Sequence, residues 1–130
     1  MSHHTTVVLV VEDNDLIRAG VLDSVAAAGF ETLEAGNADE AIRILEARPD
    51  IHLVFTDVGM PGTMDGIKLS HYIRHRWPPV KLIVTSGKFP VDESHLPMGA
   101  MFFPKPYDES AIIEAMIGML SKGNSQPRHP

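Results

Sequence analysis

The 130-residue chain has no cysteine, one tryptophan, two tyrosines and no long apolar run. The missing cysteine excludes disulfides, thiolate metal sites and a cysteine nucleophile together. The longest strongly apolar stretch, Val7 to Val11, is far too short to span a bilayer, so no membrane association is expected. Met1-Ser2-His3-His4 lacks the basic-then-apolar layout of a secretory signal, which places the protein in the cytoplasm. Positive charge is also scarce. Eleven Lys and Arg against seventeen Asp and Glu leave a net charge of −6, which argues against nucleic acid as a direct partner. Neither Gly-x-x-x-x-Gly-Lys-Ser/Thr nor Gly-x-Gly-x-x-Gly occurs, so nucleotide binding has no support.

What remains is a composition that suits one globular domain, with 44% hydrophobic and 22% charged residues. The expected division is a domain over residues 1–122 and a flexible, Pro-containing tail over 123–130. Five short apolar runs alternate with helical patterns. The runs are Thr5 to Val11, Phe30 to Glu34, His52 to Thr56, Val80 to Thr85 and Ala100 to Phe103. Helices are predicted from Asp15 to Ala28, behind an Asn37–Glu40 capping box, from Gly66 to Arg76, and from an Asp108 cap to Leu120. Gly29 ends the first of these by taking the left-handed conformation cheaply. Such alternation predicts an α/β fold, a five-stranded parallel sheet doubly wound with helices on both faces. Ligands of such sheets gather at the carboxyl ends of the strands.

Chemistry is concentrated there. The first strand ends in Glu12-Asp13 and the third in Asp57. If those strands are neighbours, three carboxylates converge, which is costly unless a cation joins them or their pKa values rise. Oxygen-only ligands in a small open cluster suit Mg²⁺. The fourth strand ends in the hydroxyl of Thr85, and the fifth is followed by the ammonium of Lys105. Acids, hydroxyl and ammonium together make a site for a phosphoryl group. Taken singly, each residue has a plain structural explanation: a solvated loop, a turn or a surface charge. Their placement at separate strand ends makes the combination informative.

The segments Val10-Val11-Glu12-Asp13-Asn14, Asp57-Val58-Gly59-Met60-Pro61 with Asp65-Gly66, Thr85-Ser86-Gly87, Gly99-Ala100 and Lys105-Pro106 resemble the receiver domains of two-component response regulators. The likeness runs from Thr6 to Leu120. It implies a flavodoxin-like (βα)5 fold and a phosphoryl group accepted on Asp57 from a histidine kinase or a histidine phosphotransfer protein. By the same likeness Glu12, Asp13, Asp57 and the backbone carbonyl of Gly59 hold Mg²⁺. Thr85 and Lys105 bind the phosphoryl oxygens, Thr85 and Phe102 form the switch pair, and the Lys105-Pro106 bond is cis. A receiver of this kind is not an enzyme with substrate turnover, since it catalyses only its own phosphorylation and dephosphorylation.

The sequence departs from the family pattern in three places. The loop between Asp57 and Asp65-Gly66 carries one extra residue, a form similar to receivers of hybrid histidine kinases. Between Thr85 and Lys105 stand Gly87, Pro90, Pro97 and Gly99. A proline inside a helix costs about 3 kcal/mol, so the fourth helix is expected to be short or irregular, near Val91 to Leu96. The family reads out activation, and forms homodimers, through this altered face. Gly59 and Gly87 occupy positions whose side chains in relatives help set dephosphorylation rates. Three readings stay open: a stand-alone receiver signalling through protein contacts, a receiver excised from a hybrid kinase, and a receiver-fold binding module that phosphorylation does not switch. His71 and His75, four apart on a helix, are read as a solvated face because no carboxylate partner is evident.

Overall fold

The computed structural model describes residues 6–59, 65–87 and 91–124, with the side chains of 122–124 left out. In chain order its elements are β1 (Val7–Val11), α1 (Asp15–Ala27), β2 (Glu31–Ala35), α2 (Ala38–Ala47), β3 (Ile51–Asp57), α3 (Gly66–Arg76), β4 (Lys81–Ser86), β5 (Met101–Pro104) and α4 (Glu109–Asn124). The five strands form one parallel sheet in the order β2-β1-β3-β4-β5. The predicted doubly wound architecture is the one observed.

The unbroken apolar runs follow from burial on both faces, since successive strand side chains point to opposite sides. Val7, Leu9 and Val11 of β1 pack with Ala41 and Leu45 of α2 and with Leu69 and Ile73 of α3. Val8 and Val10, pointing the other way, pack with Val21 and Val25 of α1 and with Ile112 and Met116 of α4. Each such side chain, fully buried, contributes about 1.5–3 kcal/mol. A polar residue inside β1 would therefore be costly on either face.

Side chains at the helix starts supply the acceptors that orphan amides need. The Asn14 side chain accepts from the amides of Leu16 and Ile17, and that of Asp65 accepts from Lys68. The Asn37 side chain accepts from the Glu40 amide, but Glu40 reaches back to the amide of Gly36, one residue before the expected partner. Gly29 has φ +99° and closes α1 as expected. The strands differ from the sequence reading by one or two residues at their ends, β1 starting at Val7, with Thr5 outside the described residues, and β3 taking in both Ile51 and Asp57.

Between β4 and β5 the described residues hold one 3-10 turn, Glu93–His95, in place of a fourth α-helix. The shortening predicted from the prolines is thus carried to a single turn, which the Asp92 side chain caps through the Ser94 amide at 2.9 Å. Gly99, at φ +85°, then turns the chain into β5. At the other end α4 continues to Asn124, and residues 125–130 lie outside the described residues.

Candidate functional site

The strand register brings the predicted residues together. Val11 pairs with Thr56, so Glu12 leaves β1 beside Asp57 at the end of β3. Asp57 pairs with Thr85, and Thr85 pairs with Phe103, two residues before Lys105. Carboxylate oxygens of Glu12, Asp13 and Asp57 lie within 4.8 Å of one another. The Lys105 ammonium sits 3.4 Å from Asp57 Oδ1 and 3.6 Å from Glu12 Oε1, ion-pair distances to both acids. The sheet's bonding continues past the strand ends. The Val58 amide donates to the Thr85 carbonyl at 2.8 Å, and the Lys105 amide donates to the Ser86 carbonyl at 2.9 Å. The Lys105-Pro106 bond is cis.

Glu12 and Asp57 are 1% and 6% exposed, whereas Asp13 faces solvent. Burial pushes the Asp57 carboxyl above its ordinary range; Lys105 pulls it back, Asp13 adds to the rise, and the Gly59 amide opposes it. Burial likewise raises Glu12, against the Asn14 amide, which donates to its Oε2 at 3.0 Å. Burial, with Glu12, Glu109 and Asp57 nearby, pushes the Tyr107 phenol up to about 12. One ammonium therefore leaves three acids short of positive charge.

Among the described residues two buried side-chain oxygens are without a hydrogen bond, Glu12 Oε1 and Thr85 Oγ1. A buried polar atom of this kind calls for a further partner. Beside the Lys105 ammonium, the candidate ligands among the described residues are the carboxylate oxygens of Glu12, Asp13 and Asp57, and one of these acids is open to water. That set fits a hard divalent cation that keeps part of its hydration shell.

Two glycines shape the surroundings. A Cβ at Gly66 would lie 2.1 Å from the Asp57 carbonyl oxygen, so only glycine lets α3 start this close to the end of β3. At Gly87 a Cβ would come within 3.0 Å of the Lys105 side chain. Gly87, Ile17, Lys105, Pro106 and Tyr107 line an open cleft of about 470 Å³ beside the acids. Phe102, half-buried, joins Val58, Val84 and Leu96 in a small apolar cluster. Val58 directly follows Asp57 and Val84 directly precedes Thr85, so the cluster that Phe102 joins adjoins the site in sequence.

A family model described as the response regulator receiver domain matches residues 8–117. The chain belongs to that family. A response regulator protein, FleR, of Pseudomonas aeruginosa is 33% identical to this receiver over 110 residues, 82% of this chain and 23% of that protein. The sensor kinase CckA of Brucella abortus is 34% identical over 120 residues, 88% of this chain and 12% of that protein. The receiver thus spans under a quarter of the length of these two relatives, one a regulator and the other a kinase. A crystal structure of a CheY-like receiver domain from Methanospirillum hungatei has a TM-score of 0.86 at 21% identity, over 95% of this chain and all of that one, which shows the shared fold.

Sequence reasoning missed Arg18, which braces the turn carrying the two adjacent acids. Its guanidinium donates to the Glu12 carbonyl at 2.7 Å and to the carboxylates of Glu34 and Asp15 at 2.8 Å each. Nothing in the sequence distinguishes it from other surface arginines. His71 and His75 are not brought to an acid; the His71 ring donates through Nε2 to the His95 carbonyl at 2.6 Å.

Proposed function

We propose that this receiver accepts a phosphoryl group on Asp57 from a histidine kinase or histidine phosphotransfer protein and signals through contacts with another protein. The observation that carries the reading is the buried Asp57 carboxylate, 3.4 Å from Lys105 and clustered with two further acids at the open end of the sheet. Glu12, Asp13 and Asp57 would hold Mg²⁺, with the backbone carbonyl of Gly59 as the fourth protein ligand. Bound there, the ion supplies positive charge to the oxygens of the transferring group.

The chain's own residues do the rest. An Asp57 carboxylate oxygen attacks phosphorus in line while the bond from phosphorus to the donor imidazole breaks. Lys105 follows the charge, exchanging part of its ion pair with Asp57 for contact with a phosphoryl oxygen. Thr85, whose hydroxyl is buried without a partner, turns to donate a hydrogen bond to another. Motion of Thr85 draws on Val84, Leu96 and Phe102, which gives the modification a path to the face of the 3-10 turn. Exposed Leu16 and Ile17 at the start of α1 offer the donor protein an apolar footing beside the acids. Among the described residues no helix is long and apolar enough to cross a membrane, and we place the receiver in the cytoplasm with its donor.

Intact mass after incubation with a small acyl phosphate tests the reading. The expected result is a gain of one phosphoryl group that requires Mg²⁺ and is lost in Asp57→Asn. A folded wild-type chain that gains nothing under any condition would point instead to a receiver-fold binding module that phosphorylation does not switch.

A further inference from the structure

Glu12 is the last residue that the sheet holds directly, its amide donating to the Ala35 carbonyl at 3.0 Å. Beyond it the chain leaves the strand, and the direction of the next peptide plane decides where Asp13 points. A peptide unit is planar, so fixing the Glu12 carbonyl oxygen also fixes the plane that carries the Asp13 Cα. Arg18 Nη1 fixes that oxygen at 2.7 Å. The guanidinium is itself held, by Nε on Glu34 of β2 and by Nη2 on Asp15 in the first turn of α1, both at 2.8 Å. It is 17% exposed, a half-enclosed fork joining three elements rather than a solvated charge.

From this we infer that Arg18 is a positioning residue for the metal site, setting the backbone between Glu12 and Asp13 so that both carboxylates face one cation. The inference rests on the metal-binding reading above and deepens it. Residues that orient metal ligands from behind typically change affinity by about 10–100-fold when removed. The sign of the effect separates this role from a simple charge effect. Arg18 is a cation beside a cation site, so by Coulomb's law alone its removal would tighten Mg²⁺ binding. Loss of positioning loosens it. Lysine keeps the charge but not the rigid fork, and so separates the two contributions.

The test is isothermal titration of the full chain with MgCl₂, for wild type, Arg18→Lys, Arg18→Met and Glu34→Ala, each with a thermal melt to establish folding. Arg18→Met is expected to bind Mg²⁺ roughly tenfold more weakly despite having lost a positive charge. Arg18→Lys falls between it and wild type, and Glu34→Ala, which frees one arm of the fork, weakens binding by less than Arg18→Met does. Unchanged or tighter binding by folded Arg18→Met would overturn the inference. Should that variant not fold, wild-type affinity in both Arg18→Lys and Glu34→Ala overturns it. A wild-type chain that binds no Mg²⁺ would overturn the metal-site reading and this inference together, whereas wild-type binding with indifferent variants removes the inference alone.

Discussion

At the carboxyl end of β1, Glu12 is tied by its amide, its carbonyl and one carboxylate oxygen, to Ala35, Arg18 and Asn14. Across the sheet, the described part of the link from β4 to β5 has one 3-10 turn, with Leu96 as its buried apolar anchor and the His71 ring on the His95 carbonyl. The acid end is bonded to neighbouring elements, whereas in the described part of the link the amides of His95, Leu96 and Ala100 bond within the link itself, to the carbonyls of Asp92, Glu93 and Pro97. Charge-transfer chemistry gains from groups fixed in advance, because reorganising them during the reaction costs free energy. A surface that must change in response to that chemistry gains from being weakly held. The cluster of Val58, Val84, Leu96 and Phe102 lies where the two regions meet.

The sharpest way to break this contrast is at Gly66. An alanine Cβ there would meet the backbone of β3 rather than a movable side chain, so Gly66→Ala is expected to cost about 3 kcal/mol or more in urea unfolding. A smaller loss would mean that the acid end yields more easily than its bonding suggests. On the other side, Leu96→Ala removes the anchor of the 3-10 turn and is expected to cost about 2–3 kcal/mol. Its Mg²⁺ affinity should stay within about twofold of wild type, since Leu96 packs with Val58, Val84 and Phe102 and not among the three acids. A large change in affinity would show that the two regions are not separable.

A subtler effect concerns pH. Burial holds the Asp57 and Glu12 carboxyls above their ordinary 3.8 and 4.5. The stability linked to a raised carboxyl is fully present below its unfolded value and is lost as pH rises through the folded one. Asp57→Asn removes one such charge. Without Mg²⁺ the variant should melt about 2–5 °C above wild type at neutral pH, and the gap should close on acidification toward about pH 4. A gap that widens on acidification would mean that Lys105 outweighs burial at Asp57. Smallest of all is Gly87→Ala. Its Cβ presses on the flexible stem of Lys105, which can shift, so phosphoryl uptake followed by mass should slow by roughly two- to fivefold.

The strands were legible because a parallel strand buried on both faces leaves a continuous apolar run, as in Val7 to Val11. Asp57 and Lys105 were legible because they directly end or follow such runs. A short or irregular fourth helix was readable from Gly87, Pro90, Pro97 and Gly99, whose backbone restrictions act locally. What escaped the sequence depends on geometry between distant segments. Arg18 gains its role only when β2 places Glu34 beside α1, and the His71 bond needs the 3-10 turn to pass over α3. The return of Glu40 to Gly36 rather than Asn37 turns on the path of one side chain. Ladder hydrogen bonds, not composition, extend β3 to include Ile51 and Asp57.

The most direct test of the central claim is to trap the modified residue. Wild-type protein treated with a small acyl phosphate and Mg²⁺ is reduced with borohydride, which converts an aspartyl phosphate to homoserine, and is then mapped by peptide mass spectrometry. The account predicts homoserine at position 57 and at no other aspartate. Conversion at Asp13 or another acid, with Asp57 unmodified, would contradict it.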